Sequence, residues 1–297
     1  MDDIKNTMKI TSLLPYYGSK RTLAPTIVRL MGDHKSYWEP FCGSMAVLFA
    51  KPPCTMETMN DMYGDLINLA KVVQDPELGV RLYGKLSRTL CSEQFFDEAK
   101  ERWFENEEPY VAPDIDRAYN FFVASWMGIN GVSGTERCNY KFALRWCAGG
   151  GHGATRWQSV VSSIPAWHRR LQNVLIINRD AFEIIGNIKD EQGTVIYCDP
   201  PYIEKSNKYV HDFESETLFN KSGHQRLAKL LNRFKSAKVI VSYYEHRYLA
   251  GLYAGWEEIV IEKSRQSMRN ATRGDKKKPA HNSREVLLLN KAANEKQ

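Results

Sequence analysis

No apolar run in this sequence approaches the roughly 20 residues that cross a bilayer, so no membrane partner is expected. The opening Met1-Asp2-Asp3-Ile4-Lys5 is acidic and polar, without the pattern of a secretory leader, and the expectation is a cytoplasmic protein. Cysteine is sparse: Cys42, Cys54, Cys91, Cys138, Cys147 and Cys198 include no C-x-x-C pair, and no histidine stands at zinc-finger spacing from a pair. Reduced, mostly buried thiols are expected, and a metal site is not. Gly18-Ser19-Lys20 looks like the end of a phosphate-binding loop, but the upstream glycine of that motif is missing, which weakens a nucleoside-triphosphate reading.

What is present is ordinary in bulk. The chain has 297 residues, 43% apolar and 26% charged, enough for one large or two modest domains with a sizeable core. The net charge of +6 permits nucleic-acid binding without proving it. The cations are unevenly placed: Arg265, Arg269, Arg273, Lys276, Lys277, Lys278 and Arg284 crowd one segment, which reads either as a solvated loop or as a phosphate-contacting one.

The chain is organised around Thr194–Tyr202. Thr194 to Cys198 is a short run rich in β-branched and aromatic residues, a buried strand. Pro200 and Pro201 donate no backbone N–H, so the strand stops at Asp199. A stiff corner bearing a carboxylate, carbonyls and an aromatic ring then stands at a strand's carboxyl end, where open α/β sheets bind ligands. Further strands are expected at Tyr37–Phe41, Thr55–Met59, Asn173–Ile177 and Ala237–Tyr243. Helices are expected at Thr22–Met31, Met45–Phe49, Tyr63–Val73, Ala181–Ile188, Ser222–Phe234 and Glu245–Leu252. Trp256–Lys263 and Arg284–Asn290 read as an antiparallel pair at the sheet edge. Asp61 and Asp180 follow strands; each suits a helix cap, and Asp61 suits a ribose diol equally. Glu204 to Asn220 reads as a loop beside the site.

Glu77 to His168 breaks the strand–helix rhythm. Helices are expected at Leu78–Leu90, Glu93–Phe104 and Ile115–Met127, followed by two glycine-rich loops, Gly128–Gly134 and Gly149–Gly153. These flank a basic, aromatic segment from Arg137 through Lys141 to Arg145 and Trp146. Such an insertion suits either the reading of an irregular polar surface such as DNA or simple shielding of the site.

Four motifs in order carry a resemblance: Tyr16-Tyr17-Gly18-Ser19-Lys20, Glu39-Pro40-Phe41-Cys42-Gly43, Asp61 after the second strand, and Asp199-Pro200-Pro201-Tyr202 beyond the insertion. In this permutation the sequence resembles the Dam-like (alpha-group) DNA adenine-N6 methyltransferases over nearly its whole length. It departs at Met45, where that family has glycine. The resemblance implies an α/β fold: a Rossmann-like class I methyltransferase sheet with an inserted, mostly helical target-recognition domain. Residues 1–76 and 169–297 would bind S-adenosylmethionine and catalyse, and 77–168 would read DNA. It implies cofactor contacts at Tyr16, Lys20, Glu39, Phe41, Gly43, Asp61, Asp180 and Asp199. Catalysis would fall to Asp199, Pro200 and Tyr202 on a flipped adenine, and DNA contacts to Asn130, Arg137, Asn139, Lys141, Arg145, Arg269, Arg273 and Lys276. The implied setting is a bacterial or phage-infected cell, with double-stranded DNA as partner, a monomer or weak dimer, and a place in DNA methylation or restriction-modification. An RNA or protein amino-methyltransferase, or a non-catalytic methyltransferase-fold module, stays open as an alternative.

Overall fold

The protein is described from a computed structural model that covers residues 10–15, 18–105, 111–129, 141–144, 152–202, 221–261 and 284–294. Tyr16, Asn130, Arg137, Asn139, Arg145, Arg269, Arg273, Lys276, Cys138, Cys147 and the expected loop from Glu204 lie outside these residues.

Seven strands form one sheet: β1 (Ser36–Glu39), β2 (Met56–Asn60), β3 (Val174–Ile177), β4 (Thr194–Cys198), β5 (Lys238–Tyr244), β6 (Glu257–Ile261) and β7 (Glu285–Leu289). Their order is β3-β2-β1-β4-β5-β7-β6. The first five run parallel and β7 runs antiparallel to both β5 and β6, which is the Rossmann-like sheet of class I methyltransferases with its reversed edge pair. The order reverses between β1 and β4, so the crevice at their carboxyl ends is the topological switch point.

Every residue of β4 is buried because both sheet faces are covered. Alternation sends Val195 and Tyr197 to one apolar layer, Ile196 and Cys198 to the other. The first layer is built on α1 (Ala24–Met31), α2 (Ala46–Ala50) and α3 (Gly64–Gln74); the second on α9 (Ala181–Asn187), α10 (Lys221–Leu231) and α11 (Leu249–Leu252). A short α12 (Lys291–Asn294) follows β7.

Between β2 and β3 stand α4 (Pro76–Ser87), α5 (Glu93–Glu105), α6 (Ile115–Met127), α7 (Gly153–Val161) and α8 (Ile164–Leu171). Their ends follow local chemistry: Asp75 accepts the Glu77 and Leu78 N–H groups, and Asp114 those of Asp116 and Arg117. These helices extend the first layer's core; Leu82, Phe96, Phe121, Phe122 and Trp157 belong to the same apolar cluster as Tyr37 and Tyr197. Asp65 of α3 binds both the Trp103 indole N–H and the Arg117 guanidinium, which fastens α5 and α6 to the sheet side. Lys141 stands exposed where Ile129 N–H meets its carbonyl at 2.9 Å, just past α6.

Two expectations about elements are corrected. The stretch Glu245–Leu252 is helical only over Leu249–Leu252, because the Glu245 N–H still pairs with the Arg284 carbonyl at 2.8 Å and prolongs the β5–β7 ladder. Asp61 does not stand at the N-cap of α3; Tyr63 occupies that position without a side-chain cap bond. The Asp61 carboxylate instead accepts the Tyr63 N–H at 3.0 Å and the Gly43 N–H at 2.8 Å, joining the end of β2 to the turn after β1.

Candidate active site

The segment before α1 is tied down at three places. Trp167 Nε1 donates to the Ile10 carbonyl at 2.7 Å, Trp126 Nε1 to the Leu13 carbonyl at 2.9 Å, and Leu13 N–H to the Ser44 carbonyl at 3.0 Å. Ser19 and Ser44 then share a hydroxyl bond of 3.0 Å. These contacts deliver Lys20, only 7% exposed, over the carboxyl ends of the strands.

There the Lys20 ammonium lies 2.7 Å from Asp199 Oδ2 and 3.3 Å from Glu285 Oε1, and donates to the Gly18 carbonyl at 3.0 Å. It also sits 5.0 Å from the Tyr202 ring centroid. Ser242 Oγ donates to Asp199 Oδ1 at 2.8 Å and lies 3.0 Å from the Tyr197 hydroxyl. Asp199 Oδ1 is therefore held from the sheet by Ser242, and Oδ2 by Lys20 from the segment before α1. The Tyr202 hydroxyl donates to Glu285 Oε1 at 2.8 Å, and its ring meets Tyr244 edge-on at 4.4 Å. Sheet topology explains the meeting: β7 is antiparallel, so its first residue pairs with the last of β5 at the end where β4 finishes. Sequence reasoning placed Glu285 only as a flank of an edge strand and Ser242 only as a strand residue. The expected reversal of that edge pair was the one signal that could have found Glu285.

Burial pushes the Asp199 carboxyl above its ordinary value; Lys20 opposes this and Glu285 adds to it. For Lys20 burial works downward, but Asp199 and then Glu285 outweigh it and its pKa ends above that of an ordinary lysine. Cys198 is pushed strongly up by burial and then by Asp199, which leaves a thiol and not a nucleophilic thiolate beside the corner.

The neighbouring half of the crevice is acidic. Glu39 closes β1, 2% exposed, and accepts the Tyr37 hydroxyl at 2.8 Å. Burial raises its pKa to about 8, with Tyr37 opposing and the Asp199 charge adding. Asp61 is raised as well, by burial against the N–H groups of Tyr63 and Gly43. Phe41 is half-buried against the second apolar layer. Gly43 takes φ 45° and Met45 takes φ 57°, a left-handed conformation that costs a residue with a Cβ about 1–2 kcal/mol. The Met45 side chain is fully buried in the core and its N–H closes the turn onto the Cys42 carbonyl at 2.8 Å. The turn thus keeps a glycine-like backbone at Met45. Asp180 caps α9 through the Phe182 N–H at 2.8 Å. It stands close to this crevice in the chain's path, since Asn60, which precedes Asp61, holds the Arg179 backbone at both its N–H and carbonyl.

Lys20, Asp199 and Tyr202 are thus gathered directly, and Gly43 and Asp61 are joined by a hydrogen bond beside them. Lys141 belongs to a different place, beyond α6. Among the described residues no group of three or more His, Cys, Asp or Glu is arranged to hold a metal ion, and no helix is long and apolar enough to cross a membrane.

The family model of the D12 class N6 adenine-specific DNA methyltransferases matches residues 16–268. No curated protein matches the sequence. Among solved structures the chain is similar to the rRNA methyltransferase aviRa from Streptomyces viridochromogenes, at 12% identity over 98% of this chain and 93% of that one, with a TM-score of 0.42.

Proposed function

The chain belongs to the D12 class N6 adenine-specific DNA methyltransferase family, and from that membership we propose which residues perform the transfer and how. The enzyme methylates adenine in DNA, which decides against the RNA, protein and non-catalytic alternatives that the sequence left open. The proposed methyl donor is S-adenosylmethionine, held by residues 1–76 and 169–297, with 77–168 facing the DNA.

The donor set fits that cofactor. The cofactor offers a diol, an α-amino cation and an adenine amino group, all hydrogen-bond donors, and the crevice beside Lys20 offers the carboxyl groups of Glu39 and Asp61 at adjacent strand ends, with Asp180 nearby. Phe41 supplies apolar contact, and the Gly43 turn, at positive φ, suits a close approach of the backbone. Tyr16 joins this set by its motif alone. When bound, the cofactor supplies a methyl group on a sulfonium, whose carbon–sulfur electrons leave with sulfur as a nitrogen–carbon bond forms.

The protein's part is to present the nitrogen. The adenine amino group is conjugated with its ring and its lone pair is a poor nucleophile. Hydrogen bonds from it to the Asp199 carboxylate and the Pro200 carbonyl favour a more tetrahedral nitrogen, and Asp199 receives the proton that the nitrogen sheds. Pro200 and Pro201 fix the direction of the carbonyl and offer no competing N–H. The base reaches this corner by leaving the duplex, and Tyr202 replaces the lost stacking, a contact worth roughly 1–3 kcal/mol. Most of the rate comes from position and from charge placed beforehand in a site shielded from water. The observation that carries this reading is the Asp199 carboxylate, held by Ser242 and Lys20 beside Tyr202 at the switch point.

Replacing Asp199 with Ala is expected to lower methyl transfer by more than about 100-fold, while cofactor affinity by calorimetry changes by less than about tenfold. Near-normal turnover of the variant would remove Asp199 from its role.

A further inference from the structure

Glu285 lies outside both motifs of the site, yet its carboxylate stands inside it. It is 8% exposed, accepts the Tyr202 hydroxyl at 2.8 Å and lies 3.3 Å from the Lys20 ammonium. The same ammonium is 2.7 Å from Asp199. Lys20 and Asp199 alone would form a close ion pair of no net charge. A carboxylate neutralised in that way does little for a nitrogen that becomes positive as it takes up a methyl group. With Glu285 the three groups carry one net negative charge in a site shielded from water, where charge acts strongly.

We propose that Glu285 is a positioning residue of the methyl transfer: it shares the Lys20 ammonium with Asp199, so that the cluster keeps one net negative charge beside the target nitrogen, and it anchors the Tyr202 ring through its hydroxyl. This rests on the assignment of Asp199 to the target amino group. Two features of the structure support a role beyond packing. Glu285 is brought to the site by the reversal of β7, and it engages a cation and a ring that both already contact the Asp199 corner. Its charge also adds to the upward displacement of the Asp199 carboxyl, so its loss has a signature in pH.

Glu285→Gln keeps the size and an acceptor for Tyr202 but removes the charge. In the full chain, with double-stranded DNA and S-adenosylmethionine, it is expected to lower kcat about 100-fold. The DNA KM and cofactor Kd should stay within about threefold, since no uniform binding contact is lost. The acid limb of the kcat–pH profile should move to lower pH, because one of the charges raising Asp199 is gone. Glu285→Asp, which keeps the charge, should retain the wild-type acid limb even where rate is lost, and it serves if the Gln variant does not fold. Tyr202→Phe removes the anchored hydroxyl alone and should leave the limb in place. A Gln variant with wild-type kcat and profile overturns the proposal. So does an Asp variant whose limb moves down, or a Phe variant that reproduces the Gln rate loss in full. A wild-type enzyme that transfers no methyl would instead fail the reading beneath it.

Discussion

Lysine is seldom buried without anions around it, and Lys20 has two, Asp199 and Glu285. Its motif in the sequence marked it as a cofactor contact; the structure sets it against Asp199, the carboxylate proposed to be catalytic. That difference was illegible because Asp199 lies 179 positions later in the chain and Glu285 lies 265 later, and only the sheet topology brings them together. Asp199, Pro200 and Tyr202 were legible because two prolines end a strand wherever they fall. Glu39 is a residue whose environment no sequence pattern reveals. Its carboxyl, raised from 4.5 to about 8, keeps a proton in the folded chain that the unfolded chain has released between those pH values. Stability from this group is therefore fully present below pH 4.5, falls as pH rises through the window and is level above about 8. Glu39→Gln mimics the protonated form. In urea unfolding of the cofactor-free chain it should match wild type near pH 5 and be more stable by about 1–3 kcal/mol at pH 9. A difference that stays constant between the two pH values contradicts this.

At the scale of elements, strands and helices with clear periodicity stand where the sequence puts them. Thr194–Cys198 and Ile115–Met127 agree to the residue. The failures have local causes. Asp61 looks like a cap because carboxylates before helices often are, but the helix begins at Gly64 behind Tyr63, and the two Asp61 oxygens go one to the Tyr63 N–H and one to the Gly43 N–H. The stretch after β5 has helical composition, but pairing with β7 holds its first residue extended. Two basic elements are proposed to carry the DNA: Arg137, Lys141 and Arg145 with Asn130 and Asn139 beyond α6, and Arg269, Arg273 and Lys276 between β6 and β7. β6 and β7 hold the ends of the second segment at the sheet edge beyond β5, on the side of β4 that leads to Asp199. Each phosphate contact releases counterions, so replacing either trio of cations by alanine should weaken DNA binding and flatten its dependence on salt by about one unit of slope per contact. Cofactor affinity should not change. An unaltered salt slope would make the segment in question a solvated loop or a shield.

At the scale of the whole molecule, one sheet with two covered faces reverses its strand order between β1 and β4, and every proposed catalytic group converges at the carboxyl ends there. The chain before α1, the corner after β4 and the start of β7 each bring one charged group of the Lys20–Asp199–Glu285 cluster. The helices from 76 to 171 share the core of one face, so the DNA-facing part is proposed to be braced by the catalytic layer and not loosely tethered to it. The family membership states the product, and the atoms that make it are proposed from the site's geometry. The most direct test is to express the wild-type chain and its Asp199→Ala variant in cells lacking adenine methylation, digest their DNA to nucleosides and quantify N6-methyladenine by mass spectrometry. The account predicts abundant N6-methyladenine from the wild type and background levels from the folded variant; equal amounts from both, or none from the wild type, would contradict it.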